Sequence, residues 1–356
     1  MVLLDDRKRR ILRAIIDDYI DTAEPIGSRT IARKHELGLS SATIRNEMAD
    51  LEEMGYLEQP HTSAGRIPSD KGYRLYVDRL LEVGQLNLED IEVIRRALDV
   101  KINELSQLIR QASIIMSRIT KYTSMAITPQ MNNSTLKAVQ VVPIEPGKAL
   151  VVVVTNAGVA KNTLIKIPDQ VAPDFIIKLS NIVNEKLTGL TIEQINLPVI
   201  RDIENEIGLS KEVVLPILNG IADCIDQIDN AEVYLDGTTN IFNYPEFRDI
   251  MKAKDFLDIL DEKENVSRLL KGSLKQGESS SSGVNIQIGS ENLLREIQDC
   301  TLITTTYSVG NVVIGSIGVI GPTRMEYGRV ISSMNYIKQK MGEEIYKLLG
   351  ENLDGS

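Results

Sequence analysis

Residues 39–74 read LSSATIRNEMADLEEMGYLEQPHTSAGRIPSDKGYR. Within them Ile44, Met48 and Leu51 fall at i, i+4 and i+7, one apolar stripe that predicts a helix over 41–54 packed inward along that line. The chain breaks at Gly38, and Ser40 or Ser41 supplies the N-cap. The face opposite the stripe presents Ala42, Arg45, Asn46 and Ala49. Small residues there allow close approach to a major groove, Arg suits guanine, and Asn suits adenine. Ser41 and Thr43, at the positive end of the helix, are placed for phosphate oxygens. Glu47, Asp50, Glu52 and Glu53 load the later turns with negative charge, which leaves the first half of the helix to enter a groove. A solvated helix with an ordinary N-cap fits the same residues, so this helix alone does not choose.

The segment that follows shifts the balance. YLEQP (56–60) and RIPS (66–69) read as two short strands, with the small polar turn HTSAG between them. Upstream, residues 5–20 predict a helix with Leu12, Ile15, Ile16 and Tyr19 on one face, and Ser28 caps a second. Three helices and then a hairpin is the winged-helix order. The wing carries Arg66, with His61, Thr62 and Ser63 as hydrogen-bonding neighbours, against the DNA backbone or minor groove. Helix–turn–helix arrangements also serve as protein-contact modules. The basic run Arg7–Arg10 matches a nucleic-acid patch by pattern, but such a run is more often simply the solvated side of an amphipathic helix, and it is read so. After Pro68, Ser69 caps a further helix, SDKGYRLYVDRLL.

The whole chain has a net charge of −10, the wrong sign for a polyanion partner. Residues 1–80, however, hold 13 Lys/Arg against 14 Asp/Glu, net −1; the remaining 27 against 36 give −9. The acidity therefore lies outside the opening stretch, and a local basic edge on an acidic body is feasible. The longest apolar run, Ala149–Val154, is far too short to span a membrane, and MVLLDDRKRR has no signal-peptide core. Two cysteines, Cys224 and Cys300, without CxxC spacing, imply buried thiols in a reducing compartment, hence a cytoplasmic protein. Only His35 and His61 are available to a His-based triad or metal centre, and neither has the spacing. The expectation is a non-enzyme without cofactor or metal.

Further along, residues 88–120 carry steps of three and four from Ile91 to Ile119, which predicts one long helix. TLKAVQVVPI, KALVVVVTN and VAKNTLIKI (135–167) predict a strand meander. Helices are expected at 171–187, 191–206 and 210–228, then an irregular tract, EVYLDGTTNIFNYPEF, more helix, and the low-complexity loop KQGESSSSG. Strands return over 284–320, and a helix through Tyr327, Val330, Met334, Ile337, Met341 and Ile345 closes the chain. GSIGVIG (315–321) lacks a GK[ST] ending and runs into Pro322, so it reads as a closely packed strand and not a phosphate loop. Strands at both ends with helices between suggest an α+β domain interrupted by an insertion.

SSATIRNEMADLEEMGYLEQPHTSAGRIPSDKGYR resembles the N-terminal signature of the HrcA family of bacterial heat-inducible transcription repressors. GSIGVIGPTRMEYGRVISSMNYIKQKM (315–341) is similar to that family's C-terminal segment, and LDGTTNIFNYPEF fits as well. The resemblance implies a multidomain α+β chain: a winged helix-turn-helix domain (1–84), a GAF-like domain (85–165 and 281–350), and an inserted α/β dimerisation domain (166–280). It implies a repressor of chaperone operons that binds an inverted-repeat operator in double-stranded DNA as a homodimer, kept active by the GroE chaperonin. The matching DNA-contact positions are Ser41, Ala42, Thr43, Arg45 and Asn46, with the wing residues His61, Thr62, Ser63 and Arg66. A small-molecule-responsive regulator, with the GAF-like domain as sensor, is the alternative.

Overall fold

The N-terminal turn of the chain is set by Asp5, whose carboxylate accepts from the Lys8 backbone N–H at 2.8 Å and starts helix α1 (Asp6–Thr22). The computed structural model describes residues 4–61, 65–98, 105–128, 135–156, 159–191, 194–195, 211–229, 232–276, 283–309 and 312–350. Helix α2 (Ser28–Lys34) follows, capped by Gly27, so Ser28 is its first residue and not the side-chain cap expected of it. Helix α3 (Ser41–Glu53) is capped by Ser40, whose Oγ accepts from the Thr43 N–H at 3.1 Å. Strands β1 (Leu57–Glu58) and β2 (Ile67–Pro68) pair antiparallel. Ser69 then caps α4 (Asp70–Leu75), which continues into a π-helical turn over Tyr76–Leu80.

Residues 88–120 do not run on as one rod. Helices α5 (Leu88–Leu98) and α6 (Leu105–Thr120) pack against each other, and both pack against the C-terminal helix α11 (Tyr327–Gly350). The apolar steps of three and four were real, but each helix buries its stripe in a shared layer.

The described residues form two larger sheets. The five-stranded one has the order β7 (Val233–Asp236), β3 (Thr123–Ile127), β10 (Val312–Pro322), β9 (Cys300–Val309), β8 (Asn285–Ile288), with every neighbouring pair antiparallel. Alternation along its strands buries both faces. Ala126, Ile303, Ile317 and Val319 pack toward α6 and α11, whereas Met125, Ile127, Leu302 and Ile320 pack toward α9 (Ile250–Asp261) and α10 (Lys263–Gln276). GSIGVIG lies within β10 as a packed strand. A Cβ on Gly315 would stand 2.1 Å from the Tyr307 hydroxyl.

The meander β4 (Leu136–Glu145), β5 (Lys148–Thr155), β6 (Ala160–Lys166) forms a sheet of its own. With α7 (Pro173–Leu187) and α8 (Lys211–Asp229) it has a separate core that includes Val139, Val151, Val153, Leu179 and Ile217. This corrects the expected partition at residue 165. The meander strands belong with the excursion, and β7, α9 and α10 belong with the five-stranded sheet. Strand pattern shows that a segment is a strand, but not which sheet accepts it. The expected helix at 191–206 lies mostly outside the described residues.

Candidate nucleic-acid interface

Ile44, Met48 and Leu51 of α3 are buried among Ile11, Leu12, Ile15 and Ile31, as the i, i+4, i+7 spacing required. That burial turns Ala42, Arg45, Asn46 and Ala49 outward, and all four are exposed. Ser41 and Thr43 are half-buried at the helix start, and the Thr43 hydroxyl is 2.9 Å from Ser40 Oγ. Arg45 and Asn46 have no hydrogen-bond or ion-pair partner among the described residues.

The acids of the later turns are not loose. Lys8 on α1 reaches Glu47 at 2.7 Å and Asp50 at 3.0 Å, and Arg7 reaches Glu47 at 3.3 Å. Glu47 and the Lys8 side chain are each only 13% exposed. The hydrogen bond to Glu47 pushes the Lys8 ammonium well above the usual lysine range, so it stays charged. On the other flank, Arg66 binds Glu52 through Nε at 2.8 Å and Nη2 at 2.7 Å. Half of the Arg7–Arg10 run therefore faces α3 and is not simply a solvated side. Sequence reasoning missed this because opposite charges about 40 residues apart carry no local signal.

The hairpin is joined to the helices through Ile26, whose N–H and C=O both pair with the backbone of Arg66 at 2.9 Å. Gly65 makes this possible: a Cβ there would lie 2.4 Å from the Ile26 carbonyl oxygen. His61 is exposed at the tip, while Thr62 and Ser63 lie outside the described residues. The structure thus brings together Ser41, Ala42, Thr43, Arg45 and Asn46 on one helix start. It gives Arg66 an intramolecular partner that its sequence position did not suggest.

Lys71 and Arg74, the basic residues that follow Arg66 in the sequence, are committed elsewhere. Lys71 donates to the Met54 carbonyl at 2.7 Å and lies 4.5 Å over the Tyr56 ring. Arg74 crosses to the body, donating to Glu291 through Nε at 2.9 Å and through Nη2, and to the Ile286 carbonyl at 2.6 Å. Beside it, Asp70 accepts from the Ser290 N–H at 2.8 Å. Gly289, with φ +54, is needed for that approach, because a Cβ would sit 2.1 Å from the Asp70 carboxylate. Arg324 completes the joint. It donates to Glu246 at 2.7 Å and to the Ile20 carbonyl. Tyr73 and Tyr76 pack on the buried Tyr327 with ring centroids 5.9 and 6.3 Å away. The tracts PSDKGYR, IFNYPEF and GPTRMEYGR meet at this one place.

Comparison with known proteins supplies first a class and then a family. Full-length relatives are named as transcription repressors. The heat-inducible transcription repressor HrcA of Acetivibrio thermocellus is 60% identical over 354 residues, covering 99% of this chain and 100% of that protein. That of Ruminiclostridium cellulolyticum is 60% identical over 349 residues, covering 98% and 99%. That of Clostridium perfringens strain 13 is 44% identical over 344 residues, covering 96% and 99%. Residues 106–331 match the family HrcA, described as HrcA protein C terminal domain. The chain belongs to the HrcA family, that of the heat-inducible transcription repressors. A crystal structure of a hypothetical protein at 2.2 Å resolution shares the fold, with a TM-score of 0.68 at 22% identity, covering 97% of this chain and 100% of that one. Among the described residues no helix is long and apolar enough to cross a membrane.

Proposed function

We propose that this repressor acts by binding double-stranded DNA through a winged helix-turn-helix formed by α2, α3 and the β1–β2 hairpin. Helix α3 enters the major groove at Ser41, Ala42, Thr43, Arg45 and Asn46. The hairpin, with His61, Thr62, Ser63 and Arg66, lies along the backbone. The observation that carries this reading is the sorting of α3: an apolar stripe buried, and an opposite face of two alanines, an arginine and an asparagine left exposed and unpaired among the described residues. The target is an inverted-repeat operator before chaperone operons, occupied by a homodimer, since one small head discriminates poorly and two joined heads gain effective concentration. The five-stranded sheet with its helices is the GAF-like domain, and the β4–β6 unit is the inserted dimerisation domain. The GroE chaperonin is the partner that maintains the active state.

A mobility shift of the full chain on chaperone-promoter DNA, with and without chaperonin, tests this. A complex that forms with second-order dependence on protein and strengthens with chaperonin is expected. No shift at low salt would remove the DNA reading, and a shift indifferent to chaperonin would remove that partner. The sensor alternative is disfavoured by a tightly filled sheet interior. Tyr307 is fully buried, and its hydroxyl donates to the Ile127 carbonyl at 2.5 Å.

A further inference from the structure

The sequence puts four acids on the last two turns of α3, and by charge alone these turns should be held off DNA. The structure distributes them differently. By helical spacing Glu47 lies on the flank toward α1 and Glu52 on the flank toward the hairpin, with Asp50 between Glu47 and the outer face. Lys8 bridges Glu47 and Asp50, Arg7 also reaches Glu47, and Arg66 takes Glu52. Only Glu53, the last helical residue, is exposed with no partner among the described residues. Between the helix start and Glu53, the outer face carries Ala42, Arg45, Asn46 and Ala49, with no uncompensated carboxylate.

We propose that the DNA-facing surface runs along α3 as far as Ala49, and that Lys8, together with Arg7, makes this possible by balancing the charges of Glu47 and Asp50 from the neighbouring helix. Lys8 is a positioning residue of a particular kind: it acts through charge and touches no base. Its ammonium is anchored between Glu47 and Asp50, with Asp5 at 3.7 Å, so it cannot reach out as a phosphate contact without loosening these pairs. The surface then ends at Glu53, whose charge marks the limit of approach. This rests on the DNA reading above and adds to it a residue on α1 and a third turn of α3.

The full-length chain and three variants, Lys8→Met, the pair Glu47→Gln with Asp50→Asn, and all three changes together, separate the possibilities. Two duplexes serve as probes: one selected by the wild-type chain from a randomised pool, and a scrambled one of equal length. Lys8→Met leaves Asp50 bare and Glu47 to Arg7 alone, and its affinity should fall about tenfold on both duplexes, because repulsion from phosphate ignores sequence. Adding Glu47→Gln and Asp50→Asn to Lys8→Met should restore binding, although the ion pairs cannot re-form. The acid pair replaced alone, with Lys8 intact, should tighten binding to both duplexes, and this arm stands even if Lys8→Met folds poorly. A loss confined to the selected duplex would mean that Lys8 only holds α3 in place and would overturn the proposal. Unchanged binding by the acid-pair variant would overturn it as well. A wild-type chain that binds neither duplex at low salt would instead sink the DNA reading itself, and this inference with it.

Discussion

The helix start at residues 41–46 and the strip at 66–74 belong to the same short stretch of sequence, and both offer basic side chains. In the folded chain they do opposite things. Arg45 is exposed and unpaired among the described residues, while Arg66 is paired with Glu52, Lys71 with the Met54 carbonyl and Arg74 with Glu291. The first region leaves Arg45 and Asn46 exposed and without a partner among the described residues. The second uses them to fasten the hairpin to α3 and the head to the body. A basic residue in a motif is thus a candidate contact only after its intramolecular partners have been counted.

The largest effect is expected at the joint. Arg324→Ala removes the one guanidinium that holds Glu246 among the described residues and leaves the Ile20 carbonyl without its donor, which should lower stability by about 2–3 kcal/mol. Denaturant unfolding followed by far-UV circular dichroism reads this, and an unmoved midpoint would deny the joint its structural role. On the reading face, Arg45→Ala should leave stability untouched and cost about 1–3 kcal/mol of discrimination at one base position. Binding to a series of singly substituted duplexes checks it, and uniform weakening at all positions would count against base contact. Arg66→Ala sharpens the contrast. Weaker binding on all duplexes with a salt slope lower by about 1 identifies a phosphate contact. The same loss with an unchanged slope assigns Arg66 to Glu52 alone. Smallest, Ser40→Ala removes the cap of α3 and should cost about 1 kcal/mol of stability. A cost of zero by the same unfolding assay would mean that tertiary packing alone holds the helix start.

Much of the head was legible because its signals are local. The stripe Ile44, Met48, Leu51, a serine cap at 40 or 41, the cap Ser69 and the order of helices and hairpin each depend on residues within a turn or two. The buried thiols were legible too. Cys224 and Cys300 are buried, and burial pushes the Cys224 thiol up to about 11. What failed was pairing at a distance. The break between α5 and α6, the sheet that accepts β4–β6, and the partners of Lys8, Arg66 and Arg324 are all choices among distant segments that fit equally well by pattern.

By itself, then, the sequence determined which face of α3 must be buried, and therefore which residues are left to look outward, because a 3.6-residue period admits one solution for that stripe. It also located the acidity outside the head. Only the tertiary structure decided which charges in the head remain unpaired. An ion pair depends on two side chains meeting within about 4 Å, and folding brings Lys8 to Glu47, and Arg74 to Glu291, across intervals that no local pattern spans.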